Sequence, residues 1–284
     1  MESHRERLRS WLAEQESFPD CFLTRHTDSH RKSKAEQIEN LVCLWQGPSF
    51  VAWDMGYREQ DTGEPLAALW GWDGADRVPL LERSILELDS NLMVRIPPGE
   101  LCAEQLERLG FLLERYRLCL TPKVHDLETP QQSRYSLRLA TEVDRVMLCT
   151  LAADYAQYTM PPGREELLTQ YTTSILSRFR SIDLSSESPL DLFVAEENHR
   201  SVGYILVELM PDGSVYVEDM GVKRSHWGKY VAQFLIRAIE NLLVQQGIDL
   251  LWCEISAANR RSFVTACRSL RFEPRLQFWM HRGT

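Results

Sequence analysis

The chain has 284 residues, a length that fits two domains of ordinary size. Hydrophobic residues make up 44% and charged residues 26%, a balance typical of globular proteins that excludes disordered, collagen-like and fibrous classes. The 32 Lys and Arg residues face 41 Asp and Glu residues, which gives a formal net charge of -9. A negative field repels a phosphate backbone, so we expect no nucleic-acid partner.

The sequence shows no sign of a membrane segment or of a secreted fold. No apolar run approaches the roughly 20 residues that span a bilayer, and the charged start at Met1–Arg7 is not followed by the apolar stretch of a signal peptide. The seven cysteines are scattered without a CxxC pair, which argues against a disulfide framework and against a metal or redox site. We therefore expect a cytoplasmic protein with free thiols, no membrane partner and no metal.

The first part of the chain contains both helical and strand-like periods. Amphipathic patterns at Glu2–Ser17 and Lys34–Trp45 predict helices, and Gly47-Pro48 ends the second one. Two apolar and aromatic runs on either side of the polar turn Asp61–Pro65 predict a hairpin, which a helix, a strand, a helix and a strand follow. The hairpin strands and these later elements are, in order, Ser49–Trp53, Leu66–Trp72, Pro79–Leu88, Leu92–Ile96, Glu100–Leu109 and Leu112–Leu120.

The segment after these elements separates two predicted domains. It is rich in Thr, Pro, Gln and Ser and lacks a hydrophobic period, so we predict a first domain at 1–125, a linker at 126–134 and a second domain at 135–284. In the second domain the order is strand, two helices, three strands, helix, strand, helix, strand. These elements are Tyr135–Leu139, Glu142–Tyr155, Arg164–Phe179, Leu192–Ala195, Val202–Leu209, Ser214–Val222, Val231–Gln245, Leu250–Ile255, Arg260–Leu270 and Leu276–His281.

Short matches between the two halves indicate an internal repeat. Phe50–Asp54 is similar to Phe193–Glu197, and Leu109-Gly110-Phe111 is similar to Leu270-Arg271-Phe272. The elements between these matches correspond in order, although the first copy is shorter and is expected to lack a counterpart of the strand Ser214–Val222. We therefore predict two copies of one fold, with the N-terminal copy truncated.

The most informative segment runs from Val215 to Ala232, where a strand passes through a short loop directly into an amphipathic helix. A helix N-terminus offers unpaired N–H groups and the positive end of the helix dipole, which favour an anion such as a diphosphate. Gly228 allows close backbone approach, and Ala232 is small enough not to block it. A plain strand-to-helix connection, as found in any α/β domain, is the alternative explanation of this loop.

From about Tyr135 to His281, the order of elements and this loop resemble the GCN5-related N-acetyltransferase (GNAT) superfamily. Trp227–Ala232 is similar to its acetyl-coenzyme A motif, Arg/Gln-x-x-Gly-x-Gly/Ala, and Glu218–Val222 is similar to the Glu-Asp-x-x-Val strand of polyamine-type members. Asn259, followed by a helix and Leu270-Arg271-Phe272, is similar to the second cofactor motif. The resemblance implies an α/β (α+β) fold with a mixed, mostly antiparallel sheet flanked by helices, and acetyl-coenzyme A (acetyl-CoA) as the cofactor.

The resemblance also implies which residues bind the cofactor and how the two copies differ. Tandem GNAT chains with one degenerate copy are known, and the internal repeat makes this chain similar to them. By their positions in the motifs, the implied cofactor-binding residues are Met220, Val222, Trp227, Gly228, Lys229, Tyr230, Val231, Ala232 and Asn259.

Several positions depart from the superfamily's pattern. Trp227 stands where Arg or Gln is usual, and Tyr230 stands where a Gly lets the backbone close on the diphosphate, so we expect weakened or reshaped diphosphate binding. Arg271 replaces a usual Gly. The position of the usual general-acid Tyr falls on Cys267 or Ala266. A thiol, with a reference pKa of about 8.5, could protonate the departing thiolate, whereas a buried free Cys is more often inert packing.

If acetyl transfer occurs, the resemblance implies direct attack of an amine on the thioester. A backbone N–H near Val222 would polarise the thioester carbonyl. Glu218 is the best-placed carboxylate to take the proton from the ammonium, and the alternative is a strand residue that merely faces solvent. Because strand residues alternate faces, we expect only one of Glu218 and Asp219 to point toward the site, with Glu254 in reserve.

Two other constellations are less informative. Ser225-His226 suggests a nucleophile and base, but adjacent residues rarely form such a pair and the chain has no GxSxG elbow. His26 and His30 have the spacing of metal ligands but lie in a polar segment where we expect no metal.

The leading hypothesis is an acetyl-CoA-dependent N-acyltransferase that acetylates a small-molecule or peptide amine. The alternative is a non-catalytic GNAT-like protein that binds a CoA thioester or acts as an interaction scaffold, which Trp227, Tyr230 and the missing Tyr favour. Transfer of a longer acyl group is a third hypothesis. The net charge is compatible with a cationic amine, and the sequence leaves the oligomeric state open, a homodimer included.

Overall fold

The computed structural model describes residues 4–14, 36–58, 65–99, 101, 103–184 and 190–282. His26, His30 and most of the predicted turn at 61–65 lie outside the described residues, as do Cys21 and Cys102. The chain forms two compact units, one of Met1–Arg115 with Arg275–Thr284 and the other of Tyr116–Pro274, called unit 1 and unit 2 below.

Unit 1 is built around an antiparallel meander of three strands. Its elements are α1 (His4–Glu14), β1 (Leu41–Gln46), β2 (Ser49–Arg58), β3 (Pro65–Asp73), α2 (Arg77–Glu87), β4 (Asn91–Ile96), α3 (Ala103–Arg108), the start of β5 (Leu112–Leu120) and most of β11 (Glu273–His281). β1 pairs with β2 and β2 with β3 in antiparallel fashion, whereas β3 and β4 are parallel. β11, from the far end of the sequence, pairs antiparallel with β4.

Unit 2 contains a mixed sheet with the strand order β5-β10-β9-β8-β7-β6. Its further elements are β6 (Tyr135–Leu139), α4 (Arg145–Thr159), α5 (Leu168–Ser181), β7 (Leu190–Glu197), β8 (Arg200–Leu209), β9 (Val215–Val222), α6 (Val231–Gln245), β10 (Leu251–Ser256) and α7 (Arg260–Ser269). β6 to β9 are antiparallel, and β9 and β10 are parallel. The predicted mixed, mostly antiparallel sheet flanked by helices is confirmed.

Alternation along β8 gives unit 2 two apolar cores. Ile205 and Val207 belong to the core that α6 and α7 cover, whereas Tyr204 and Leu206 belong to the core that α4 and α5 cover. Successive side chains of a strand point to opposite faces, so one apolar strand anchors a helical layer on each side. Burial of each large apolar side chain contributes about 1.5 to 3 kcal/mol, which holds both layers against the sheet.

The prediction of a helix over Lys34–Trp45 is wrong for most of its length. The described part has a 3-10 turn at Ile38–Asn40, and β1 then pairs residue for residue with β2. Gln46 faces Ser49 across a tight turn in which Gly47 has a φ of +56°. The spacing of apolar residues in this segment is compatible with the period of a helix and also with that of a strand. Its aromatic and β-branched residues and the hairpin turn decide for a strand.

This additional strand changes the comparison of the two halves. With β1 present, three antiparallel strands precede α2, and β3 is the counterpart of the strand Ser214–Val222 that we expected the first copy to lack. By element order, Phe50–Asp54 on β2 therefore corresponds to β8 and not to Phe193–Glu197 on β7. The truncation of the N-terminal copy stays a prediction.

The predicted linker is attached to unit 2. Arg134 Nη2 donates to the Lys229 carbonyl at 3.0 Å, and Arg237 Nη1 donates to Gln132 Oε1 at 3.3 Å. The division into 1–125, 126–134 and 135–284 describes the two predicted copies of the fold, and it stays a prediction. The boundaries between the compact units lie elsewhere in the sequence, between Arg115 and Tyr116 and between Pro274 and Arg275.

A buried carboxylate fixes the start of α4. Asp144 accepts hydrogen bonds from both terminal nitrogens of Arg138, at 2.7 and 2.9 Å, and from the Ser201 hydroxyl at 2.9 Å. The Thr141 N–H donates to the same carboxylate at 3.0 Å and completes a capping box. These contacts tie the turn before α4 to β6 and β8.

Replacement of Asp144 by Asn should remove stability that depends on pH. Burial acts to raise the Asp144 pKa, but the hydrogen bonds from Arg138, Thr141 and Ser201 outweigh it and hold the pKa at about 2. The contribution, about 2.5 kcal/mol, is complete above the unfolded pKa of about 4 and is lost as pH falls from 4 to 2.

Urea unfolding followed by circular dichroism checks this. D144N should be less stable than the wild type at pH 7, and the difference should fall by about half at pH 3. The exposed Glu142, paired with Arg145, provides the control, and E142Q should have a small effect. A difference between D144N and the wild type that does not change with pH would contradict the assigned role of Asp144.

Candidate functional site

The parallel strands β9 and β10 separate soon after they begin to pair. Their register contains three pairs, Leu251 with Val215, Trp252 with Tyr216 and Cys253 with Val217. Both strands continue beyond this point, β9 to Val222 and β10 to Ser256. A gap flanked by unpaired backbone therefore opens between their carboxyl-terminal halves.

A β-bulge at Glu218 begins this gap. Leu206 of β8 faces Asp219 and Val207 faces Val217, so Glu218 has no partner across the pair. An extra residue in one strand interrupts the alternation of side chains. As a result, Glu218 pairs with Arg178 of α5, and Asp219 accepts a hydrogen bond from Tyr204, whose ring packs against α5. The expectation that the two carboxylates point to opposite faces is corrected.

Glu218 is held by a single cation. Its side chain is 12% exposed, and its Oε1 accepts a hydrogen bond from Nη1 of Arg178. Burial acts to lower the Arg178 pKa, but the hydrogen bond and the charge of Glu218 outweigh it and raise that pKa. Arg178 is therefore cationic, and the predicted base is an oriented ion-pair partner and not a strand residue that simply faces solvent.

Asp219 lies in a more enclosed environment. The Tyr204 hydroxyl donates to it at 2.7 Å and the Met220 N–H donates at 2.8 Å, yet burial outweighs these bonds and raises the Asp219 pKa. The Tyr204 ring also explains why residue 221 is a glycine, because a Cβ at this position would lie 2.5 Å from the ring. Tyr204 therefore fixes both the carboxylate and the strand beside it.

The reserve carboxylate, Glu254, is paired elsewhere. Arg117 Nη2 donates to it at 2.5 Å, and the two side chains are 3% and 15% exposed, respectively. The Arg117 guanidinium also lies 4.4 Å from the centre of the Trp252 ring. Glu254 is therefore held by a guanidinium that is itself buried, whereas the cation that holds Glu218 is partly exposed.

The loop between β9 and α6 adopts an unusual backbone. Gly228 has a φ of +74° and Tyr230 a φ of +67°, so both are left-handed. The Lys229 carbonyl between them accepts hydrogen bonds from the Tyr135 hydroxyl at 2.7 Å and from Arg134 at 3.0 Å. Tyr230 thus adopts the conformation that a glycine takes readily, and its side chain is 52% exposed.

This backbone leaves a group of donors for a ligand. In the part of the chain that the structure describes, the N–H groups of Gly228 and of residues 230–233 donate to no protein acceptor. A Cβ added at Gly228 would meet nothing within 4 Å, so the space over the loop is open. Unpaired donors at the start of α6 fit an anion such as a diphosphate. Gly228, Lys229, Tyr230, Val231 and Ala232 are all in or next to this group.

Trp227 secures the end of β9. Its indole Nε1 donates to the Val222 carbonyl at 2.9 Å and to the Tyr155 hydroxyl at 2.8 Å, and Tyr155 donates to the same carbonyl. The Arg261 guanidinium lies 4.7 Å from the centre of the Trp227 ring, which places a cation beside the loop. Trp227 therefore fixes the end of β9. It is uncharged itself, but its ring stacks with the cationic Arg261.

The Val222 N–H faces the gap. Lys223 N donates to the carbonyl of Val202 at 2.9 Å. Because N–H groups alternate sides along a strand, the N–H of Val222 points away from β8. The Met220 N–H is on the same side but is engaged by Asp219. Val222 is thus the better placed of the two to donate to a ligand.

Of the predicted residues, Cys267 lies on α7 and Asn259 immediately precedes it. Burial raises the pKa of the half-buried Cys267 thiol, so this thiol is protonated at neutral pH. Asn259 caps the helix, since its Oδ1 accepts a hydrogen bond from Ser262 N at 3.1 Å. The roles of Cys267 in catalysis and of Asn259 in cofactor binding stay predictions.

Ser225 and His226 form part of a hydrogen-bonded chain. Ser225 Oγ lies 2.9 Å from His226 Nδ1, and His226 Nε2 lies 3.0 Å from an oxygen of Glu197 at the end of β7. This chain of hydrogen bonds links the loop to the end of β7, and sequence spacing did not reveal it.

Unit 1 contains a parallel pair of the same kind but a different loop. β3 and β4 pair over Leu66–Ala68 and Asn91–Met93, and pairing then ends. The connection to α2 is only residues 74–76, and its Asp76 accepts a hydrogen bond from Ser49 at 3.1 Å. A Cβ at Gly74 would lie 2.2 Å from Ser49 Oγ. This short, acidic and closed connection does not fit an anion.

Across the described ranges, no group of three His, Cys, Asp or Glu side chains could hold a metal ion. The described helices include none long and apolar enough to cross a membrane.

Replacement of Tyr230 by Gly should stabilise the protein by about 1 kcal/mol, because a non-glycine residue with left-handed φ is strained. Y230A is the matched control, since it removes the ring and keeps a Cβ on the same backbone. Thermal unfolding should show a gain for Y230G and none for Y230A. A less stable Y230G would show that ring packing outweighs the backbone strain.

The chain is similar to one protein family and to several solved structures. Residues 152–263 match the model of the Acetyltransferase (GNAT) family. No curated protein sequence matches the chain significantly. One similar solved structure is the GCN5-related N-acetyltransferase from Sphaerobacter thermophilus, with 14% identity and a TM-score of 0.49, over 82% of this chain and 76% of that one.

Two further solved structures are similar over nearly the whole chain. They are an acetyltransferase of the GNAT family from Colwellia psychrerythraea (12% identity, TM-score 0.47, 99% of this chain and 98% of that one) and a tandem GNAT protein from the clavulanic acid biosynthesis pathway (15% identity, TM-score 0.45, 99% and 96%). The family match spans the bulge, the separated strands and the loop, so residues 152–263 are similar to a GNAT acetyltransferase domain.

Proposed function

We propose that the protein is an acetyl-CoA-dependent N-acyltransferase that moves an acetyl group to the amine of a small molecule or peptide. One observation carries the proposal: β9 and β10 separate after three residue pairs, beside a loop whose N–H groups are unused. A gap between strands accommodates an extended pantetheine arm, and the donors fit the diphosphate at its end.

Each step of the proposed reaction is assigned to a residue of unit 2. Bound acetyl-CoA supplies an activated acyl carbon and a thiolate leaving group. The N–H of Val222 donates to the thioester oxygen and stabilises the charge that develops there. Glu218 accepts the proton that the acceptor ammonium loses before its nitrogen attacks, and Cys267 gives a proton to the departing sulfur. The C–N bond forms, the attacking nitrogen loses its second proton to solvent, and the C–S bond breaks. Glu218 then releases its proton to solvent, and solvent restores the proton on Cys267.

The environment of Glu218 supports its role as the base. Arg178 orients the carboxylate, and the bulge places it where the strands separate. Asp219 is the competing carboxylate, because it lies next to Glu218 on the same side and its pKa is raised, which suits a base near neutral pH. Its two hydrogen bonds, from Tyr204 and Met220, leave it less open to an acceptor.

Calorimetric titration with acetyl-CoA tests the cofactor site. We expect a dissociation constant on the order of micromolar for the wild type, and roughly 100-fold weaker binding for G228D, because a carboxylate would face the diphosphate. G228N is the matched control, since Asn has nearly the same shape and tolerates left-handed φ without the charge.

The two variants separate charge from shape. Equal losses in G228D and G228N would show that the charge of the side chain is not what matters at this loop. Absence of binding by the wild type would contradict the cofactor site and favour the alternative of an interaction scaffold. Binding without turnover of any amine would favour the non-catalytic, CoA-binding alternative.

The base assignment is tested by E218Q and D219N. E218Q should lower kcat/KM for an amine by about 100-fold or more and leave the affinity for acetyl-CoA unchanged, because only proton transfer is lost. D219N should lower kcat/KM for the amine by less than about tenfold. The measurement is the pH profile of kcat/KM for each variant. A larger loss of kcat/KM in D219N than in E218Q would show that Asp219 is the base.

A further inference from the structure

Two side chains bind the same backbone carbonyl at the end of β9. The Val222 oxygen accepts hydrogen bonds from the Tyr155 hydroxyl and, at 2.9 Å, from the indole Nε1 of Trp227. The same indole nitrogen lies 2.8 Å from the Tyr155 oxygen. Because an indole N–H can only donate, Tyr155 accepts from Trp227 and directs its own hydrogen at the carbonyl. Both lone pairs of this carbonyl are therefore used by side chains.

The Tyr155 hydroxyl is held by a helix that is packed on the sheet. Tyr155 lies on α4, 67 residues before Val222, and its ring packs against the core that α4 and α5 cover. Leu151 and Ala152 of the same helix are buried in that core. Close packing restricts the positions that the ring can take. Burial also raises the pKa of Tyr155, so its hydroxyl is protonated and can donate at neutral pH.

The hold on this carbonyl also fixes the N–H of the same residue. The N–H and C=O of one strand residue lie on the same side of the strand, as the paired bonds of an antiparallel ladder show. On one side of β9, Lys223 N donates to a carbonyl of β8 at 2.9 Å. On the other side, the described part of β10 pairs with β9 only as far as Val217, and Tyr155 and Trp227 supply the contacts instead.

We propose that Tyr155 is a positioning residue for acyl transfer, which holds the Val222 carbonyl so that the N–H of Val222 stays directed at the thioester oxygen. This inference rests on the proposed function, because that N–H is the group assigned to stabilise the developing charge. The phenol hydrogen is committed to the carbonyl, so Tyr155 acts through the backbone and not on the reacting atoms. A misplacement of about 1 Å can reduce a rate by about 100-fold, which makes such a contact important.

A packing role alone is the competing explanation. The centre of the Tyr155 ring lies 6.1 Å from that of Trp227, and the same ring contacts the core below α4. These contacts stabilise the fold without the hydroxyl. Removal of the hydroxyl alone therefore separates the two explanations, because the ring and its packing remain.

The variant Y155F makes this change. We expect kcat for acetyl transfer to fall about tenfold, while KM for the amine and the dissociation constant of acetyl-CoA stay within about twofold, because the alignment of the N–H matters most in the transition state. The loss should be partial, since Trp227 still donates to the carbonyl. Steady-state kinetics and calorimetric titration of the full chain provide the measurements.

Y158F is the matched control. Tyr158 lies on the same helix, is 38% exposed, and has its ring centre 6.0 Å from that of Tyr155. Its hydroxyl donates to no acceptor within the described residues. Y158F should keep the kcat of the wild type. A wild-type kcat in Y155F, equal losses in both variants, or an equal loss of kcat and of acetyl-CoA affinity in Y155F would overturn the inference.

An NMR measurement separates this inference from the proposed function. In protein that contains isotopically labelled valine, the Val222 amide resonance is the one that V222I lacks, and its residual dipolar coupling reports the orientation of the N–H without turnover. Y155F should change this coupling and leave those of Val215 and Val217, which lie where β9 is paired with β10. Y158F should change none of them.

The outcomes of the two measurements are distinct. Absence of turnover of every amine by the wild type would contradict the proposed function, and the dipolar coupling would then decide alone whether Tyr155 positions the N–H. A changed Val222 coupling in Y155F would support this role, and an unchanged coupling would overturn it even in an active enzyme.

Discussion

Backbone groups that leave a sheet must find other partners, and the second half of β9 is where this constraint acts. Beyond Val217, β9 is paired with no residue of β10 among those that the structure describes. The Val222 carbonyl is satisfied by Tyr155 and Trp227, while the Val222 N–H faces the gap. The position of β9 beside the gap therefore depends on side chains from α4 and from the loop. The Val222 N–H stays available for a hydrogen bond with a ligand.

The departures from the superfamily's motif change side chains more than they change the backbone. Tyr230 adopts the left-handed conformation expected of a glycine, and the N–H groups around it stay available. Trp227 lacks the charge of the usual residue but stacks with Arg261. Anion binding by main-chain donors depends on φ and ψ more than on the identity of the side chains. A loop with an atypical sequence can therefore keep the geometry that the motif encodes.

The sequence predicts the elements of unit 2 well because each has a strong local period. The bounds of α6, Val231–Gln245, agree with prediction, since Gly228 and Gly247 bracket a clear apolar stripe. Lys34–Trp45 fails because its apolar spacing suits either period, and pairing with β2 decides between them. The bulge at Glu218 and the contact with Arg178 depend on residues far apart in the chain, so no local pattern could reveal either.

The pairing of β11 with β4 makes unit 1 discontinuous in sequence, and this has a consequence for the order of folding. His281 lies opposite Leu92, so the last strand of unit 1 is synthesised after all of unit 2. During translation, the first residues to emerge cannot complete their own sheet, and the exposed edge of β4 must wait for the end of the chain. Unit 1 thus contains the first residues of the sequence, but its sheet is completed after unit 2 has been synthesised.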